Sequence, residues 1–314
     1  MSTSKVLRIV ILLVLPLVAV FFSGCSSYGG GSLLNAHSGT AALKASFMDD
    51  SPPDKVYSGT EFSVGVILDN YGATKITNGM VVIGADEFNE KMISGADKYT
   101  FSIDGRDTTR TFRGERDVTF FKLNAPNIAP KTEQATTISM KTCYSYATTA
   151  QANVCIDTVL DTYDSGKRAC TMKEKINLGS QGAPITVSEI DIARAFQSRD
   201  IVRFVFTIRV SNAGNGFVIR QSDISKFCGS GAFSDTSQSA FGRAIVSATL
   251  GVDKLICTGK DYADLSQNDE DYVVCTSKDM PVKDNAYATP LKVNVAYGYV
   301  DSYTKEIMII DLPK

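Results

Sequence analysis

Residues Glu61–Asp69 read Glu-Phe-Ser-Val-Gly-Val-Ile-Leu-Asp, and Asn70-Tyr71-Gly72 follows at once. Phe62, Val64, Val66 and Leu68 take alternate positions. Successive side chains of a strand point to opposite faces, so this spacing gives one apolar face and predicts a half-buried strand. The Asn-x-Gly step should end it as a turn, because asparagine folds onto nearby backbone and glycine accepts positive φ. The same grammar extends outward. Leu43–Phe47 alternates, Asp49–Asp54 is a loop, and Gly79–Gly84 is an apolar run. Further strands are expected at Tyr99–Ile103, Val118–Leu123, Thr136–Tyr146 and Asn153–Val159. Few stretches sustain a helical period. Short strands between turns predict an all-β chain of sandwich or barrel type.

After Gly179-Ser180-Gln181-Gly182-Ala183-Pro184 the plan restarts. Ile185–Ile192 alternates, Ile201–Val210 is a long strand, and Ser211-Asn212-Ala213-Gly214 ends it before Phe217-Val218-Ile219. Later strands are expected near Ala244–Leu250, Lys254–Thr258, Tyr272–Thr276, Leu291–Tyr299 and Ile307–Ile310. Strand, Asn-x-Gly and apolar strand thus occur at Phe62–Ile83 and again at Phe204–Ile219. Cys143-Tyr144-Ser145-Tyr146 likewise parallels Ala296-Tyr297-Gly298-Tyr299. In each half a polar loop and a last apolar strand should follow, Val154–Asp157 and Met308–Asp311. This order reads as a duplicated domain, with residues 43–178 and 185–314 as the two copies and 179–184 as linker. The paired tyrosines share one strand face and read as a packing ladder.

Upstream, Lys5 and Arg8 precede an uncharged run, Ile9–Phe22, and then Ser23, Gly24 and Cys25. A positive start, a short apolar core and small residues before a cut form a secretory signal. The run is short for a membrane span of roughly 20 residues. Phe22-Ser23-Gly24-Cys25 resembles a lipobox, with Phe where Leu is usual, which implies lipid on Cys25. An uncleaved anchor is the alternative. Ser26–Ala42 is rich in glycine and serine and reads as a flexible tether. The expected address is the cell envelope or surface, with the membrane as one partner through this anchor.

Six cysteines remain, at 143, 155, 170, 228, 257 and 275. An even number in an exported chain predicts disulfides. Both Cys143 and Cys155 lack a counterpart in the second copy, so Cys143–Cys155 is the first choice. Cys257–Cys275 would staple a second hairpin and Cys170–Cys228 would join the copies. Cys155–Cys170 is the main competitor.

No catalytic residue emerges. Serine or cysteine triads need a histidine base, and the only histidine, His37, lies in the tether. No metal site, cofactor motif or phosphate loop is present, and a formal net charge of −2 argues against a nucleic-acid partner. The acidic stretch Asp261–Asp271 has partial calcium-loop spacing but puts Asp269 where glycine belongs; a solvated loop is the expectation. Asp104-Gly105-Arg106-Asp107 reads as a turn.

The steps Asp69-Asn70-Tyr71-Gly72 and Ser211-Asn212-Ala213-Gly214, with the strands around them, resemble the immunoglobulin-like modules of prokaryotic envelope proteins. CARDB-like adhesion-related domains and archaeal surface sandwiches are the nearest in kind. That resemblance implies two tandem immunoglobulin-like β-sandwiches and a non-catalytic role in adhesion, envelope assembly or spacing, with an envelope protein or glycan as partner. The runner-up is a carbohydrate- or solute-binding lipoprotein using Tyr99, Tyr262 or Tyr272.

Overall fold

A computed structural model describes residues 37–85, 92–93, 95–107, 114–159, 168–228, 241–283 and 285–311. The leader, Cys25 and the tether up to residue 36 lie outside the described residues. Among the described residues the strands are β1 (Leu43–Phe47), β2 (Lys55–Tyr57), β3 (Glu61–Asn70), β4 (Ile76–Ala85), β5 (Lys98–Ile103), β6 (Arg116–Asn124) and β7 (Glu133–Asp157). There follow β8 (Lys175–Asn177), β9 (Ile185–Phe196), β10 (Ile201–Asn212), β11 (Phe217–Ile219) and β12 (Arg243–Leu250). The last are β13 (Asp253–Lys254), β14 (Ile256–Cys257), β15 (Tyr262–Asp264), β16 (Glu270–Thr276), β17 (Met280–Pro281) and β18 (Ala286–Ile310). Among the described residues one short α-helix, α1, spans Ile224–Cys228. The protein is all-β, as its alternation predicts, and no described helix is long and apolar enough to cross a membrane.

Three sheets form: β1-β3-β6; β14-β16-β10-β9-β8 with β17 beside β10; and a nine-stranded sheet through β13-β12-β18-β7-β4-β5. Phe62, Val64, Val66 and Leu68 of β3 are all buried, as are Val202, Phe204, Phe206, Ile208 and Val210 of β10. These alternating faces close, one from each smaller sheet, on the nine-stranded sheet. The buried residues of both halves form one continuous apolar core.

The large departure from expectation is in β7 and β18. Residues 147–152 and 300–306, expected as polar loops, are continuous strand. The two strands are 25 residues each and pair antiparallel from Ala286↔Asp157 to Ile310↔Glu133. Their middle pair is Ser145↔Gly298, so the first part of each strand lies in one half and the last part in the other. Met308–Ile310 accordingly pairs with β2 of the first half. Polar residues such as Thr148 and Thr149 read as loop because their partners, brought from the other end of the chain, are invisible in local sequence.

The continuous strand also corrects the disulfides. Cys143 and Cys155 sit 12 positions apart along one strand, which at about 3.3 Å per residue is too far to bridge. The bonds are Cys143–Cys228, Cys155–Cys170 and Cys257–Cys275. Cys257 and Cys275 face each other across β14 and β16. Cys143–Cys228 fastens α1 over the outer face of the ladder, where Ile219, Ile224, Phe227 and Val300 form a second apolar cluster. Gly298 leaves room there: a Cβ would lie 2.8 Å from Ile219 Cγ1 and 2.9 Å from Ile224 Cγ1.

The two Asn-x-Gly steps match in atomic detail. Asn70 Nδ2 donates to the Thr74 carbonyl at 2.9 Å, and Gly72 N–H donates to Asn70 Oδ1 at 3.0 Å. Asn212 Nδ2 donates to the Gly216 carbonyl at 2.9 Å, and Gly214 N–H to Asn212 Oδ1 at 3.2 Å. A tyrosine of the long strand then pins each loop. Tyr146 accepts from Thr74 N–H at 2.9 Å, and Tyr299 accepts from Gly216 N–H at 3.0 Å. Neither Gly72 nor Gly214 has positive φ, so the expected reason for these glycines is wrong. Instead the phenol oxygen of Tyr146, or of Tyr299, fills the space a Cβ would need.

Gly214→Ala should therefore destabilise by about 1–3 kcal/mol through overpacking, and Tyr299→Phe by about 1 kcal/mol through its lost hydrogen bonds. The double variant should be more stable than the sum by about 0.5 kcal/mol or more in urea unfolding, because removing the hydroxyl makes room for the methyl. Strict additivity would refute this steric account.

Candidate functional site

At the centre of the ladder, Tyr144 and Tyr146 of β7 face Tyr299 and Tyr297 of β18. Neighbouring ring centroids are 5.9 to 6.2 Å apart, a closed square of tilted and edge-on contacts. All four are buried. Burial holds the Tyr144 and Tyr297 hydroxyls well above the usual phenol range and pushes Tyr146 up to about 12. They are packing groups, as the shared strand face implies. Three of the four hydroxyls are hydrogen-bonded, and the exception marks a site.

In the second half, Thr148 of β7 closes a small relay. Its Oγ1 donates to the Ile185 carbonyl at 2.5 Å and accepts from Tyr297 Oη at 3.1 Å. Tyr297 Oη in turn accepts from Ile185 N–H at 3.4 Å. The duplicated positions in the first half are Asp301 for Thr148, Tyr144 for Tyr297 and Leu43 for Ile185. Leu43 pairs with Asn70 just as Ile185 pairs with Asn212. A threonine can donate to a backbone carbonyl, whereas an ionised carboxylate can only accept. The relay does not form there.

In its place is a cavity of about 480 Å³ between β1 and β18, lined in part by Leu43, Tyr144, Gly214, Tyr299, Asp301 and Tyr303. Among the described residues the Asp301 carboxylate makes no hydrogen bond or ion pair, and the Tyr144 hydroxyl has no hydrogen-bond partner. Thr142, directly opposite Asp301 in the ladder, is fully buried and its Oγ1 also finds no partner. Burial pushes Asp301 up to about 6, with no cation close enough to oppose it. The ionisable groups around it are Tyr144 from β7, Tyr299 and Tyr303 from β18, and Lys44 from β1, whose residue is exposed. Burial beside this carboxylate also raises Tyr303 to about 12.

The residues singled out in the sequence do not assemble into one site. Tyr99 lies on β5 and donates to Asp117 Oδ2 at 2.9 Å. Tyr262 lies on β15 under the Arg243 guanidinium, 4.6 Å from its ring centroid. Tyr272 is exposed on β16 of a different sheet. In the acidic stretch, Asp264 Oδ1 accepts from Ser266 N–H at 3.1 Å, Asp271 Oδ2 accepts from Asp264 N–H at 2.7 Å and pairs with Lys260, and Glu270 pairs with Arg209. Asp264, Glu270 and Asp271 are thus engaged by neighbouring groups, and among the described residues no three acidic, cysteine or histidine side chains come together as a metal group. His37 is exposed. Arg106 donates to the Ser38 carbonyl, consistent with a structural turn. Asp301 itself went unnoticed. Its signal is an acid in the inward row Val295, Tyr297, Tyr299, Asp301, Tyr303, legible only once that row is known to be one strand.

No family model matches this chain, and no curated protein matches it. Among solved structures, the sporulation control protein Spo0M from Bacillus subtilis is 11% identical over 54% of this chain and 80% of its own, with a TM-score of 0.17. The CupB6 tip adhesin from Pseudomonas aeruginosa is 10% identical over 87% and 98%, with a TM-score of 0.16. The collagen adhesin from S. aureus is 6% identical over 88% and 93%, with a TM-score of 0.10. Scores this low assign neither fold nor function.

The raised Asp301 fixes a pH dependence. An unfolded aspartate titrates near 3.9, so below that pH both states are protonated and the group costs nothing. As pH rises toward about 6 the unfolded chain loses its proton first, and the folded state loses stability relative to it. Asp301→Asn should raise stability at pH 7.5 by about 1–2 kcal/mol, allowing for partial solvation, and the gain should vanish below about pH 4. Urea unfolding at the two pH values measures it; an equal gain at both would contradict an ionised Asp301 as the source.

Proposed function

We propose that this protein is an exported, non-catalytic surface protein, anchored through lipid on Cys25, whose β body serves adhesion, envelope assembly or protein–protein interaction. The observation that carries the reading is the 25-residue β7–β18 ladder. It fuses the duplicated halves through a shared sheet, two disulfides from β7 tie Cys228 and Cys170 to it, and a third staples β14 to β16. Disulfides persist in oxidising compartments, and a cross-linked body of this kind suits a mechanical or presenting role outside the cell. The signal-like Lys5–Cys25 and the Gly/Ser tether support the same address. The absence of a histidine base outside the tether region, and of any fingerprint for a cofactor, argues against an enzyme.

A second reading, a surface protein that binds a small solute or carbohydrate, is favoured by the cavity at Asp301. A glycan array divides the two: silence fits the scaffold, and a defined sugar hit moves the assignment to the second.

The anchor has its own test. The mature chain should begin at Cys25 with a mass increment from lipid and should fractionate with membranes. Cys25→Ser should release the body or leave the leader uncut. Mass spectrometry finding a mature unmodified N-terminus elsewhere would remove the lipid anchor from the proposal.

A further inference from the structure

We propose that the cavity between β1 and β18 binds a primary ammonium group, with the Asp301 carboxylate as its counter-charge and the Tyr144 hydroxyl as a second acceptor. The inference goes beyond the surface role and does not depend on Cys25 or on adhesion.

The argument begins with the comparison of the two halves. The fold has a closed solution at this position, the Thr148–Tyr297–Ile185 relay, and uses it in the second half. In the first half an acid stands in its place and leaves the half-buried Asp301 carboxylate and the Tyr144 hydroxyl facing the cavity without a protein partner, with the fully buried Thr142 Oγ1 also unpaired beside them. Polar groups withdrawn from bulk water are almost always paired, and the half-buried Asp301 carboxylate and the Tyr144 hydroxyl, both facing this cavity without a protein partner, are the groups a bound donor would satisfy. Asp301 and Tyr144 line that cavity, and Thr142 stands behind Asp301 on the same strand face.

The chemistry of the partner follows from the lining. An anion is excluded by the carboxylate. An ammonium group carries three donors and no acceptor, which matches a carboxylate and a phenol oxygen left without donors. Tyr299 and Tyr303 bring two more phenol rings to the wall, and aromatic rings favour a desolvated cation. The other two phenol hydroxyls are already committed: Tyr299 donates to Asn212 Oδ1 at 3.1 Å, and Tyr303 is hydrogen-bonded to the Ala45 backbone. A cavity of about 480 Å³ has room for an alkylammonium or a lysine side chain. The chemistry is the same for both sources, and the probes separate them.

The test uses the purified full chain with its disulfides intact, titrated by calorimetry with n-butylammonium and with Nα-acetyl-lysine N-methylamide. At pH 7.5 at least one should bind, and the Nε-acetylated lysine analogue and propionate should not. Tighter binding of the lysine probe assigns a protein partner; equal binding assigns a free amine. Asp301→Asn and Asp301→Thr should each weaken binding by about tenfold or more, and Tyr144→Phe by several-fold, with melting curves confirming the fold. Binding should also weaken at pH 4.5, where the amine stays charged and Asp301 does not. No heat from either amine at millimolar concentration, equal binding of the acetylated analogue, or unchanged affinity in Asp301→Asn would overturn the proposal. Any of these leaves the surface-scaffold reading intact.

Discussion

The pairing of β7 with β18 is the constraint on which the other features depend. Each strand begins in one half of the molecule and ends in the other, so neither half has a complete sheet alone. At the midpoint the inner face carries four tyrosines and the outer face carries Ser145 and Gly298, small enough for Ile219 and Ile224 to close over them. The tyrosine bodies fill the core where the halves meet. The hydroxyls of Tyr146, Tyr299 and Tyr297 reach outward to fasten the Asn-x-Gly loops and the start of β9. One residue type thus supplies apolar volume at one end and a hydrogen bond at the other.

The duplication is useful because it is imperfect. Matched positions act as internal controls: where Thr148 donates a proton to backbone, Asp301 has none to give once ionised. The consequence runs from one side chain to an open cavity walled by a phenol hydroxyl and a carboxylate without protein partners, the carboxylate pushed up to about 6. A group that costs stability in this way, on an otherwise consistent strand, is where function is expected to sit. The second half has its own specialisation. After β11, residues 221–228 leave the sheet, end in α1, and are tied back to β7 by Cys143–Cys228.

Much of the architecture was legible because alternation is local. Leu43–Phe47 was bounded correctly, and the buried positions of β3 were named from spacing alone. The duplication was also legible, since Asn-x-Gly and Tyr-x-Tyr recur in order. Three things were not. The polar residues after Tyr146 and Tyr299 looked like loops, because a strand whose partner is far along the chain carries no local sign of it. The Cys143–Cys155 and Cys170–Cys228 pairings failed with them, since Cys143 and Cys155 appeared to flank a turn and in fact lie along one extended strand, whereas Cys257–Cys275 formed as expected and Cys155–Cys170, the competing choice, replaced the first. Gly72 and Gly214 were identified as necessary for the wrong reason; their need comes from a tyrosine hydroxyl brought in from the long strand.

By itself the sequence determined the fold class, the recurring Asn-x-Gly and Tyr-x-Tyr steps and the inward faces of most strands, all of which follow from residue type and spacing. Only the tertiary structure decided that the halves share one sheet, which cysteines meet, and that Asp301 faces an opening beside Tyr144. Those outcomes depend on strand pairings between residues more than a hundred positions apart. Register across such distances is set by the packing of whole faces, and no short window of sequence contains it.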